Sequence, residues 1–378
     1  MSFRDTIRVD AWWIFKIGPV LAFAFAEVAL HGIQPVPALI LVVSLMVSAF
    51  GIAAFGHVVN DAFDVAADAR AGKANALGRR SPTRRALLTL ALLGLGFLPW
   101  TLIEVSTAAM VILATNAALL VAYAAPPLRL KERGFAGVIA DAAYAHLLPV
   151  LFILALFDGA VLPTPIGVAW YVGAAGWALC FGVRGIVLHQ TWDQENDLRA
   201  GVRTFVTDRG PTAARQLIHR FAYPGELFFL GVMGVVFFLQ LPLAFWILVL
   251  YAAAWWTGRA LGVFPRSVSL DPLPKNEGEH VPLACFYSLW PALAVAVALS
   301  FAAPMYGILL IVMLVLFPGH VSGEMARCAH LLGGIGYQGY WAIRKSMQSH
   351  AARSRETSRR MTMNPAQLPG AENGERDS

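Results

Sequence analysis

Charge is scarce in this 378-residue chain: 14% of its residues are Asp, Glu, Lys or Arg, while 58% are hydrophobic. A soluble globular domain carries about a quarter charged residues, so the composition excludes that class and points to a chain that lives in lipid. Cysteine is scarce too. Cys180, Cys285 and Cys328 stand far apart and show no metal-ligand spacing, and we assign them no function. The apolar runs lack period-2 alternation, which excludes a membrane β-barrel.

Long apolar runs are present instead. They centre on residues 12–32, 36–58, 86–104, 106–123, 138–157, 166–189, 222–241, 243–263, 283–302 and 304–318. From Val36 to Gly56 no side chain is charged, enough helix at about 1.5 Å per residue to cross roughly 30 Å of hydrocarbon. Backbone groups in lipid must be satisfied within the segment, so these runs predict helices and an all-α polytopic bundle. Arg4, Arg8 and Lys16 lead into a run too long for a signal-peptide core, and we expect an uncleaved first span.

The few cations are placed unevenly. The connections after spans 1, 3, 5, 7 and 9 hold no Lys or Arg. Arg70, Lys73, Arg79, Arg80, Arg84 and Arg85 follow span 2; Arg129, Lys131 and Arg133 follow span 4; Arg199, Arg203, Arg209, Arg215 and Arg220 follow span 6. The positive-inside bias predicts that these loops and both termini face the cytoplasm, in a bacterial inner (plasma) membrane. The expected organisation is a core over 1–263, a polar loop over 264–282, one or two last spans over 283–320 and a largely disordered basic tail over 321–378.

Two acidic stretches close apolar spans. "NDAFDVAADARAGKAN" ends span 2 and "HQTWDQENDLRAGVRTF" ends span 6; Asp64 aligns with Asp193, Asp68 with Asp197 and Gly72 with Gly201. The shared D-x-x-x-D-x-x-x-G pattern suggests a repeated ancestral bundle. On a helix, Asn60, Asp64 and Asp68 form one stripe, and His189, Asp193 and Asp197 another. Like charges at that spacing repel unless a cation neutralises them, and an oxygen-only donor set suits Mg²⁺. Two such clusters facing each other would hold metal ions around a diphosphate, with Arg70, Lys73, Arg199 and Arg203 available to its remaining oxygens. The charge would then lie where a ligand's polar head meets the interface while its hydrocarbon tail enters the bundle.

N-D-x-x-D-x-x-x-D after span 2 and D-x-x-x-D after span 6 resemble the signature pair of the UbiA superfamily of intramembrane prenyltransferases. Between them, "YAAPPLRLKERG" is similar to the stretch that the family carries after span 4. The resemblance covers residues 10 to about 260. It implies a nine-helix fold, to which this chain is expected to add a tenth span, and Mg²⁺-dependent transfer of an isoprenyl group from its diphosphate to an acceptor. It also implies that Asp61, Asp64, Asp68, Asp193 and Asp197 hold metal, with Asn60 completing that site. Lys73, Arg129 and Lys131 become candidate phosphate contacts. The chain departs from the family in having His189 and Gln190 where many members have a cation followed by Asp, and "ALGRRSP" after the first motif.

Further candidates come from position. Arg184 lies in span 6, about 13 Å deeper than Asp193, and an intramembrane arginine needs a polar cavity or a partner such as Glu27 or Asp141. His189 is in reach of phosphate or acceptor; with Asp64, Asp193 and Arg184 it forms the expected catalytic set. His57 and His146 read as structural hydrogen-bonders. Alternatives to prenyl transfer are a cyclase of the same superfamily, transfer of a sugar phosphate to a polyprenyl phosphate, and a non-enzymatic lipid-binding or transport protein. A transporter places its polar groups near the bilayer midplane, not at one face. The Asp-Gly-x-x-Ala-Arg motif of CDP-alcohol phosphotransferases is absent, and no nucleic-acid partner is expected.

Overall fold

The computed structural model describes residues 3–70, 72, 74–78, 80–157, 164–263 and 282–362. Its helices, in chain order, are α1 (Phe3–Ile7), α2 (Val9–Leu30), α3 (Pro35–Arg70), α4 (Pro82–Phe97), α5 (Thr107–Ala124), α6 (Phe135–Ala142), α7 (Leu148–Phe157) and α8 (Pro165–Trp192). They continue with α9 (Gln194–Ala200), α10 (Phe205–Leu217), α11 (Tyr223–Gln240), α12 (Pro242–Ala260), α13 (Pro282–Ala302), α14 (Gly307–Leu316) and α15 (Pro318–Thr362). No strand occurs among the described residues, and the fold is the expected all-α membrane bundle.

Each of the ten apolar runs is helical. Seven helical segments, counting α6 with α7 and α10 with α11, are long and apolar enough to cross a membrane, and a bent pair over Pro304–Ser349 brings the count up to eight. α14 has ten residues, about 15 Å of helix, half the hydrocarbon thickness. Starts are set by short polar residues: Ser106 Oγ accepts from Ala109 N at 3.1 Å to cap α5, and Thr164 Oγ1 accepts from Gly167 N at 3.1 Å to cap α8, with Pro165 at the first position. Thr204 caps α10 through a reciprocal box with Thr207.

The described residues between 3 and 250 and between 282 and 321 form one compact unit. Its helices pack through small residues. A Cβ on Gly18 would lie 1.9 Å from Ser288 O, so α2 and α13 touch backbone to backbone; a Cβ on Gly51 would lie 2.4 Å from Gly96 N, where α3 crosses α4. In lipid such close approach replaces the hydrophobic drive between helices. Between α6 and α7 the chain makes a π turn, Ala143–Leu147.

The end of α12 from Tyr251 and α15 from Ser322 onward belong to a second unit. There Glu324 is 1% exposed, accepts from Tyr251 OH at 2.9 Å and pairs with Arg327 at 2.5 Å. Of the stretch 321–378, the described residues as far as Thr362 are helical. Apolar residues recur on it at helical spacing (Val321, Met325, Cys328, Leu331, Leu332), a pattern that the basic composition further along obscured.

Candidate functional site

α3 runs unbroken for 36 residues, so both halves of the first motif sit on one rigid element. The second motif straddles a joint: α8 ends at Trp192, and Asp193 (φ −87°, ψ 0°) starts α9. The ladder survives the joint, with Asp193 N bonded to His189 O at 3.0 Å and Asp197 N to Asp193 O at 2.9 Å. The expected His189, Asp193, Asp197 stripe is therefore kept. Both aligned glycines are left-handed, Gly72 at φ +69° and Gly201 at φ +68°. That conformation ends a helix and favours glycine, which accounts for the last position of the shared pattern.

The two motifs open on one cavity of about 980 Å³. Asn60, Asp61, Asp64 and Asp68 line one wall, His189, Asp193 and Asp197 another, with Arg129, Lys131 and Arg184 between. Lys131 Nζ donates to Asn60 Oδ1 at 2.9 Å and to both Asp64 oxygens at 2.5 Å, and Arg129 Nη2 reaches Asp64 Oδ1 at 3.2 Å. Burial lowers the Lys131 pKa from the usual 10.5, against the opposing pull of Asp64. His189 Nε2 is 3.4 Å from Asp193 Oδ2.

Other expected residues lie elsewhere. Arg203 is paired with Asp208 at 3.2 Å and Arg199 donates to Asn196 Oδ1 at 3.1 Å; both are exposed, and neither lines the cavity. Lys73 falls outside the described residues. Arg184 does not meet Glu27 or Asp141. Its guanidinium grips Glu226 of α11 with two bonds, Nε to Oε2 at 2.6 Å and Nη2 to Oε1 at 3.0 Å, and both side chains are buried. The partner is 42 residues away, on a helix whose facing side the sequence pattern does not reveal. His57 stacks on Trp12 at 5.9 Å and its Nε2 has no hydrogen-bond partner; His146 stands edge-on to Phe181 at 4.8 Å. Both line the cavity.

Two residues that the sequence did not single out complete the first motif. Asn75 Nδ2 donates to Asp68 Oδ2 at 2.7 Å and to Asp61 O at 2.8 Å, folding the loop back over the end of α3. Arg8 Nη1 lies 3.4 Å from Asp61 Oδ1. Asn75 stands inside the quoted acidic stretch and was within reach of a closer reading; Arg8, 53 residues away, carries no local signal.

The donors on both walls are carboxylate and amide oxygens, the chemistry that Mg²⁺ takes. Among the described residues no three His, Cys, Asp or Glu side chains converge to hold one ion; Lys131 and Arg129 engage Asp64, and Arg8 engages Asp61. By donor chemistry the walls fit Mg²⁺, with side-chain rotation turning the carboxylates to it.

The model of the UbiA prenyltransferase family matches residues 19–270. Two structures of a UbiA homologue from Archaeoglobus fulgidus, one bound to DMAPP and Mg²⁺ and one to GPP and Mg²⁺, each align with a TM-score of 0.54 at 19% identity, covering 79% of this chain and 98% of theirs. No curated protein matches the chain. At that identity the structural likeness establishes the fold.

Proposed function

Because the chain belongs to the UbiA prenyltransferase family, we propose that it transfers an isoprenyl group from its diphosphate to an acceptor bound inside the membrane. The observation that carries this reading is that both acidic motifs, from helices far apart in sequence, open on one cavity. Asp61, Asp64, Asp68, Asp193 and Asp197 would hold Mg²⁺, with Asn60 beside them; the A. fulgidus homologue binds Mg²⁺ together with GPP. When bound, the metal neutralises the diphosphate and favours its departure.

The chain's own residues do the rest. Lys131 and Arg129 supply ammonium and guanidinium donors at the mouth, where the charge of the departing diphosphate grows. Below them, Ile52, Leu113, Leu120 and Phe152 give the cavity an apolar wall for the prenyl chain. That wall keeps water from the allylic cation. His189, half-open to solvent beside Asp193, is a further contact for the diphosphate. Arg184 has its charge balanced by Glu226; in this reading it positions α8 against α11 rather than touching phosphate.

The test is incubation of purified protein with labelled geranyl diphosphate and Mg²⁺, followed by identification of released diphosphate and lipid product. Asp64→Ala and Asp193→Ala should each abolish release, and EDTA should stop it. Release that persists in excess chelator removes the metal reading. A cyclised hydrocarbon or a polyprenyl-linked sugar phosphate as product would replace prenyl transfer by the corresponding alternative. We place the reaction at the cytoplasmic face of a bacterial inner membrane, from the Arg and Lys content of the loops that carry the motifs.

A further inference from the structure

α15 changes character along its length. From Cys328 to Ile343 it holds no Asp, Glu, Lys or Arg; from Arg344 to Thr362 it holds six cations, Arg344, Lys345, Arg353, Arg355, Arg359 and Arg360, against one acid, Glu356. The level at which this helix leaves the hydrocarbon is set by the end of α12, beside which it runs. α12 closes on Gly262 at φ +70°, with Gly262 N bonded to Arg259 O at 3.0 Å and Val263 N to Gly258 O at 2.8 Å. Its 19 residues make about 28 Å of helix, close to the hydrocarbon thickness, so Val263 stands at the edge of the oil. Tyr251 OH meets Glu324 and, further along both helices, Val263 meets Gly334 so closely that an added Cβ would lie 2.4 Å away. The two helices therefore run in one direction and reach that edge together.

Beyond Gly334, large apolar and aromatic side chains recur at helical spacing and stay open. Tyr337, Tyr340, Ile343 and Met347 form one stripe, 58–68% exposed, with Trp341 beside it. Headgroups occupy only about 5–7 Å on each side of the hydrocarbon, whereas Met347 lies about 20 Å of helix past Gly334. An upright helix would hold Ile343 and Met347 out in water. Tilted into the interface, the same stripe is covered by lipid, and Tyr and Trp take the boundary position that they favour. Arg344 lies across the Trp341 ring, 5.1 Å from its centroid, so a cation flanks the stripe. Lipid phosphates are the anions that this boundary offers.

We propose that α15 beyond Gly334 docks on the leaflet at which α12 ends, with the stripe from Tyr337 to Met347 turned to the acyl boundary and the helix's cations on the phosphates of anionic lipid. Two signals then act on one element: apolar burial fixes its depth, and charge selects the lipid. A soluble acidic protein would answer the charge but leave the stripe wet, so lipid is the partner that this surface fits. The docking is separate from prenyl transfer and stands or falls without it.

The experiment uses the full chain in nanodiscs of POPC alone and of POPC with the anionic lipid POPG. Trypsin cleavage of wild type after Arg353, Arg355, Arg359 and Arg360 should be at least about tenfold slower in the POPG discs, since each cation near an anionic surface adds to the attraction. Raising salt from about 0.1 to 1 M, which shortens the screening length from about 10 to 3 Å, should remove that protection. A soluble peptide substrate gives trypsin's own rate in each condition. A fluorescent label on Met347→Cys, in a chain with Cys180→Ala, Cys285→Ala and Cys328→Ala, should emit as in lipid in the POPG discs, and Arg344→Gln with Lys345→Gln should shift it toward water. Should the labelled chain fail to elute as a folded protein in size exclusion, the wild-type cleavage comparison decides alone. Equal cleavage in the two discs, or protection that salt leaves intact, overturns the proposal. A label in water in both discs overturns it too, and would leave the stripe to a protein partner.

Discussion

Among the described residues two that are not glycine have positive φ, Arg8 at 53° and Arg129 at 40°, and each reaches an aspartate of the first motif. The left-handed region costs such a residue about 1–2 kcal/mol, and this strain gathers where a function needs it. Arg129→Gly should therefore leave the melting temperature unchanged or raised while turnover falls about tenfold or more, the loss of a charge-assisted bond; a melting curve and a rate from one preparation check both. Lys131 gives the pH dependence its sign. With its pKa below 10.5, it sheds its proton earlier on the alkaline side than an ordinary lysine, so turnover should fall there, and Lys131→Arg should move that limb upward. An alkaline limb identical in both proteins would exclude the contact. The motif aspartates were legible because carboxylates at four-residue spacing are conspicuous in a chain so poor in charge. Arg8 and Glu226 were not, because each acts through a tertiary contact that no local pattern encodes.

Helices were easier to read than their contacts. Every apolar run became a helix, since lipid leaves the backbone no other way to satisfy its groups. Which glycines hold helices together had to await the structure. Gly51 and Gly94 illustrate the difference: a Cβ on Gly51 collides with the Gly96 backbone at 2.4 Å, whereas one on Gly94 meets nothing within 4 Å. Gly51→Leu should drive α3 from α4 and lower thermal stability sharply or prevent folding, while Gly94→Ala should raise it by about 0.5–1 kcal/mol through helix propensity. Size-exclusion melting of the two variants reads both signs. In α15 sparse apolar positions at helical spacing suffice for packing, with a Cβ on Gly334 only 2.4 Å from Val263.

For the molecule as a whole, the division of Arg and Lys between alternate connections remains the guide to orientation. It leads us to expect ten passages with both termini in the cytoplasm; a reporter fused after Ser378 should be active inside and silent outside, and the reverse would return the count to an odd number. The unbroken α3 bears on how substrates arrive. Asp61 lies about 39 Å along that helix from Pro35, farther than the roughly 30 Å of hydrocarbon, so an upright α3 that enters the bilayer at Pro35 would carry the aspartates to the headgroups. A diphosphate can dock there from the aqueous phase without its charge crossing the acyl region, whereas an oily acceptor diffuses in the plane of the sheet of lipid. The two encounters then belong to different dimensions: dilution of the vesicles with plain lipid should slow the acceptor's arrival and leave the diphosphate's dependence on bulk concentration where it was.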